Sequence, residues 1–158
     1  MPNALVLCGG QSSRLGQDKC LIHKKGKPLF QWWIEHLVPL CNRVYISCRA
    51  DQIESIHHPY LLLDQNPDAG PMEGIYQAFQ QDSETDWLVA ACDLVYVETE
   101  DIEMLLQDDL KGMLARCYEI SDSHEPFPLF ALLSARAGSR LIQYYLDGQS
   151  STRQFLKG

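Results

Sequence analysis

The chain has 158 residues, 46% apolar and 22% charged, which suits one globular domain and excludes a disordered or low-complexity protein. Its net charge of −8 argues against non-specific nucleic-acid binding, and its apolar runs are too short to cross a bilayer. Met1–Pro2–Asn3 leads straight into an apolar run with no basic region or cleavage site, so we expect a cytoplasmic protein without a signal peptide.

Residues 3–8 (NALVLC) read as a buried strand that ends in the loop LCGGQSSRLGQDKCL, 7–21. GKP (26–28) is a turn, and Pro28 can open the helix predicted over 29–41. Residues 43–48 are the second strand. Residues 60–64 are a third strand, ending in Asp64. A loop over 66–71 precedes a helix over 72–81. Residues 86–93 are a fourth strand, again ending in an aspartate, Asp93. An amphipathic helix follows over 99–108, with Thr99 as its expected cap. Strands over 112–118 and 128–134, a helix within 136–148 and a short polar tail complete the chain. Alternating strands and helices predict an α/β fold: one domain with a mostly parallel sheet and helices on both faces.

In such sheets ligands sit at the carboxyl ends of the strands, where the first loop, Asp64 and Asp93 all fall. Gly9 and Gly10 let backbone N–H groups approach a ligand, and consecutive N–H groups form an anion-binding concavity. Arg14 and Lys19 add charge-assisted hydrogen bonds to a phosphate. Residues 1–30 hold Arg14, Lys19, Lys24, Lys25 and Lys27 against Asp18 alone, which predicts a cationic patch for a small anionic ligand. Asp93 can cap a helix or offer Mg²⁺ a hard oxygen ligand, and the cationic loop beside it favours the metal. No cysteine pair has C-x-x-C spacing, so the six cysteines read as buried free thiols rather than a zinc site or disulfide framework. Trp32 and Trp33 read as core packing with partial exposure, and His57–His58 as a surface loop.

LCGGQSSRLGQDK resembles the L-A-G-G-x-S-x-R-M-G-x-D-K signature loop of the molybdenum cofactor guanylyltransferases. GPMEGI (70–75), AACD (90–93) and PFPLFALL (126–133) resemble that family's later motifs, in the same order. The resemblance implies a three-layer, Rossmann-like nucleotidyltransferase domain that transfers GMP from GTP to molybdopterin with Mg²⁺, releasing pyrophosphate. It implies catalytic roles for Arg14, Lys19 and Asp93, with Asp93 as metal ligand. It implies nucleotide contacts at Leu7, Cys8, Gly9, Gly10, Lys19, Ser47, Asp64, Gly70 and Asp93. Gly9 stands where the related cytidylyltransferases carry alanine, so the glycine pair points to a purine. Implied partners are GTP, molybdopterin or the molybdenum cofactor, and molybdoenzymes or cofactor-biosynthesis proteins, with no nucleic acid and no membrane.

The chain departs from the family at three places. Ser47 stands near the family's strand-end asparagine, Val95 at its C-D-x-P proline, and Phe127 at its histidine. Residues 1–158 are read as the nucleotidyltransferase domain without the family's C-terminal N-x-N-T-P segment. Three functions stay open on this reading: the transferase, a GTP-binding protein of this fold with weak or lost transfer, and a related cytidylyl or sugar-phosphate nucleotidyltransferase.

Overall fold

The computed structural model describes residues 1–10 and 18–158. Arg14, to which the sequence assigns a catalytic role, lies outside the described residues. In chain order the strands are β1 (Asn3–Leu7), β2 (His23–Lys24), β3 (Lys27–Pro28), β4 (Val44–Cys48), β5 (Leu61–Leu63), β6 (Trp87–Ala91), β7 (Ala115–Glu119) and β8 (Pro126–Leu133). The α-helices are α1 (Leu29–Leu37), α2 (Pro71–Gln81), α3 (Thr99–Leu106), α4 (Gly138–Leu146) and α5 (Thr152–Lys157).

Six strands form one sheet in the order β5-β4-β1-β6-β8-β7, and β2 and β3 form a separate small hairpin. β5, β4, β1 and β6 pair in parallel, whereas β8 runs antiparallel to both β6 and β7. β8 therefore runs against all the others. The sheet is mostly parallel, as element order predicts.

Alternate residues of the central strands feed two cores. Ala4, Val6, Cys8, Leu88, Ala90 and Cys92 face α1 and α3 with Trp33, Leu37 and Ile102. Leu5, Trp87 and Val89 face α2 and α4 with Met72, Phe79 and Leu141. This is the three-layer arrangement, and burial on both faces explains why β1, β4 and β6 read as unbroken apolar runs.

Four local expectations need correction. α1 stops at Leu37 rather than 41, because Pro39 has no N–H to return to the Glu35 carbonyl. The cap of α3 is Glu98, not Thr99; the Asp101 carboxylate accepts the Glu98 N–H at 2.9 Å. β7 begins at Ala115 because Lys111 and Gly112 turn the chain with positive φ. The tail is not an irregular polar segment. Ser151 Oγ accepts the Gln154 N–H at the start of α5, and Phe155 and Leu156 pack on the second core. Among the described residues no helix is long and apolar enough to cross a membrane.

Candidate active site

The chain runs from β1 outward through β4 and β5, then returns to place β6 on the other side of β1. That reversal opens a crevice at the carboxyl ends of β1 and β6. A cleft of 460 Å³ lies there. Strand pairing continues into its floor: Cys8 N–H donates to Ser47 O, Asp64 N–H to Cys48 O, and Cys92 N–H to Leu7 O.

Every described residue that the sequence assigns to the nucleotide lines this cleft. Leu7, Cys8, Gly9 and Gly10 come from the end of β1, and Lys19 from the far side of the first loop. Ser47 and Asp64 come from the ends of β4 and β5, Gly70 from the start of α2, and Asp93 from the end of β6. Pro71, Gly74 and Leu129 line it as well. Leu129 reaches it because β8 is reversed, which brings that strand's first half to the carboxyl edge of the sheet.

Two glycines are dictated by close approach. A Cβ on Gly9 would lie 1.8 Å from Asp64 Oδ2, so the space above Gly9 is filled by that carboxylate. A Cβ on Gly74 would lie 2.5 Å from Ser47 Oγ and 2.6 Å from Leu7 Cδ2, so Gly74 lets α2 press onto β1 and β4. Gly70 has φ 65° and ψ −150°, a region essentially reserved for glycine, and it opens α2.

Asp64 accepts a hydrogen bond from Ser47 Oγ at 2.9 Å. Burial raises its pKa from the ordinary aspartate value, partly offset by that bond. The next residue is held from below: Gln65 N–H donates to Glu73 Oε1 at 2.8 Å. Burial alone would raise the pKa of Glu73, which is 1% exposed. Hydrogen bonds from Tyr145 Oη, Gln65 N–H and Gln77 outweigh burial and hold it low.

Lys19 Nζ sits 3.3 Å from Asp93 Oδ2, and both side chains are nearly half exposed. Trp33 Nε1 donates to Cys92 O at 3.1 Å and fixes the peptide that carries Asp93. The indoles of Trp32 and Trp33 are fully buried, without the expected partial exposure. Burial also pushes the Cys8 thiol well above its ordinary pKa, leaving a neutral thiol under the loop. Among the described residues all six cysteines are free, five of them buried. His58 Nε2 bonds Val44 O, a structural role.

Of the expected cationic patch, Lys19 lines the cleft and Arg14 lies outside the described residues, whereas Lys24, Lys25 and Lys27 turn elsewhere. Lys24 and Lys25 pair with Glu98, and Lys27 pairs with Glu35. Lys19 is the only cation among the described lining residues, against Asp64, Asp68 and Asp93. Carboxylates beside a site that suits phosphate are candidates to hold a metal ion. Among the described residues no three His, Cys, Asp or Glu side chains are grouped around a metal position. Mg²⁺ does not require such a cage, because it takes one or two carboxylates, waters and substrate phosphates. The exposed carboxylate of Asp93 fits that need.

Sequence reasoning misses Arg49 and Gln52, in the turn after β4. Gln52 Nε2 donates to Cys8 O at 2.9 Å. Arg49 Nη1 donates to Gly9 O at 3.0 Å and to Gly10 O at 2.5 Å. Arg49 Nη2 reaches Asp18 Oδ1 at 2.7 Å, on the far side of the loop. Like Asp93, Arg49 follows the end of a central strand, but its partners are backbone carbonyls.

The profile of the MobA-like NTP transferase domain matches residues 4–158. A molybdenum cofactor biosynthesis bifunctional protein of Synechocystis sp. is 36% identical over 124 residues, covering 77% of this chain and 36% of that protein. A molybdenum cofactor guanylyltransferase of Ectopseudomonas mendocina is 30% identical over 156 residues, covering 97% of this chain and 76% of that protein. The chain thus spans about a third of the bifunctional relative and about three quarters of the guanylyltransferase. The crystal structure of molybdopterin-guanine dinucleotide biosynthesis protein A from Archaeoglobus fulgidus superposes with a TM-score of 0.76 at 26% identity. It covers 98% of this chain and 78% of that one.

Proposed function

We propose, because the chain belongs to the MobA-like NTP transferase domain family, that it transfers GMP from GTP to molybdopterin and releases pyrophosphate. The observation that carries this reading is a single cleft lined by Gly9, Gly10, Lys19, Asp64 and Asp93. An oxygen of the molybdopterin phosphate attacks the α-phosphorus of GTP, and the bond to the β-phosphate breaks. No covalent enzyme intermediate is needed, so the protein's work is positioning and charge stabilisation.

Asp64 recognises the base. Guanine presents N1–H and a 2-amino group side by side, a pair of donors that suits an ionised carboxylate. Adenine offers no such pair on that edge. Ser47 Oγ holds Asp64 Oδ1 and leaves Oδ2 to the ligand. Gly9 and Gly10 present backbone to the phosphates, and Lys19 exchanges the Asp93 carboxylate for phosphate oxygens. Asp93 is the residue that would hold Mg²⁺, whose charge offsets that of the phosphates. The cytoplasm is the setting, with molybdoenzymes or cofactor-biosynthesis proteins receiving the product.

The test is a transfer assay with GTP, Mg²⁺ and molybdopterin that measures both the guanine dinucleotide product and pyrophosphate. Asp93→Asn keeps the side chain's shape and removes its charge, so transfer should fall far more than thermal stability does. No product from the parent chain would overturn the transferase reading. Transfer by Asp93→Asn at the parent rate would remove Asp93 from the metal site.

A further inference from the structure

The first loop is held from behind by one short turn. Three consecutive carbonyls, those of Cys8, Gly9 and Gly10, accept hydrogen bonds from Gln52 and Arg49. Gln52 is itself locked: it is 1% exposed, and its Oε1 accepts the Arg49 N–H at 2.8 Å. Arg49 and Gln52 therefore form one rigid mount.

We propose that Arg49 is a positioning residue for the nucleotide, holding the Cys8–Gly10 backbone in the orientation that receives phosphate. The inference rests on the nucleotide-transfer reading above. In a trans peptide the N–H points away from its carbonyl. Fixing Gly9 O on the guanidinium therefore fixes the Gly10 N–H on the opposite side, away from Arg49. Gly10 lines the cleft, and nothing lies within 4 Å of the position its Cβ would take. The guanidinium also polarises the peptides it binds, which strengthens their N–H groups as donors to an anion.

Arg49 does not act as a phosphate ligand itself. Its guanidinium donates to Gly9 O, Gly10 O, Asp18 and Asp51, which occupies four of its five N–H groups. Its charge is balanced by the two aspartates, and it is not among the cleft-lining residues. Its contribution is geometric. The fork spans from the glycine carbonyls to Asp18, so it ties both ends of the first loop to the turn after β4. A lysine ammonium is a point donor on a flexible stem and cannot hold that span.

The experiment compares the parent, Arg49→Lys, Arg49→Ala and Asp51→Asn. GTP is titrated calorimetrically with Mg²⁺, each nucleotide-free chain is melted, and KM for GTP and for molybdopterin are measured separately. Asp51 is exposed and touches only the outer edge of the guanidinium, so Asp51→Asn should bind GTP like the parent. Both Arg49 variants should bind GTP at least about tenfold more weakly, the scale of one lost charge-assisted hydrogen bond. Their melting temperatures should stay within about 4 °C of the parent. KM should rise for GTP and stay constant for molybdopterin. Parental GTP affinity in Arg49→Lys would overturn the inference. So would a loss of affinity that only tracks a fall in melting temperature, which would make Arg49 structural. A parent chain that binds no GTP would overturn the nucleotide reading itself, and this inference with it.

Discussion

Replacing Gly9 with alanine strikes the closest contact in the cleft. The new Cβ would lie 1.8 Å from Oδ2 and 2.9 Å from Cγ of Asp64. Non-bonded carbon and oxygen pack at about 3.5 Å, so the carboxylate must retreat by well over 1 Å. That retreat breaks its 2.9 Å bond from Ser47 and carries Oδ2 away from the base position. If Asp64 reads guanine, losing one charge-assisted hydrogen bond costs about 1.5–3 kcal/mol, or roughly 10- to 150-fold in affinity. Calorimetric titration with GTP, ITP and ATP resolves the effect, because inosine lacks the 2-amino group. Gly9→Ala should lose GTP affinity on that scale and discriminate less between GTP and ATP. Combined with Asp64→Ala it should add almost nothing, since the two changes act through one contact. Parental affinity and selectivity in Gly9→Ala would refute the role given to Asp64.

Two further outcomes follow from the charges. Lys19 and Asp93 form an exposed pair worth at most about 1 kcal/mol, so Lys19→Ala should barely move the melting temperature. The same change should weaken GTP binding roughly 10- to 150-fold, because Lys19 is the only cation among the described lining residues; an unchanged GTP titration would contradict this. Burial raises the pKa of Asp64, and guanine needs its ionised form. GTP affinity should therefore be full above that raised pKa and weaken as pH falls through it. Titrations across pH should show this limb for GTP and not for ATP, and Asp64→Asn should abolish it.

The central strands are legible in the sequence because burial on both faces makes them continuous apolar runs. Asp93 is legible because a polar residue that ends such a run has to emerge at the carboxyl edge of the sheet, and Asp64 because it closes the short apolar run of the edge strand β5. α5 is not, because six residues with two apolar positions give too little periodicity; its helix depends on the Ser151 cap and the second core. Lys24, Lys25 and Lys27 mislead because neighbours in sequence part in space: the β2–β3 hairpin carries Lys24 toward Glu98 and Lys27 toward Glu35. Arg49 is visible as a residue and hidden as a function, since its partners are backbone carbonyls that no side-chain pattern displays.

The place of β1 in the sheet governs how the chain folds as it is synthesised. β1 is made before both of its neighbours, yet it lies between β4 and β6, and Asn3 waits for Trp87 as its partner. Until residues 87–91 emerge, one edge of β1 is bare, with apolar surface on both sides, a state that invites pairing with other chains. The edge of β6 then waits in turn for β8. Such long-range pairing slows folding. Asp93 follows β6, so the residues assigned to the nucleotide come together in the same step that completes the centre of the sheet, and Leu129 of β8 closes the cleft later. No shorter nascent chain brings Asp93 to the other nucleotide residues, and nucleotide can stabilise only the finished parallel half of the domain by mass action.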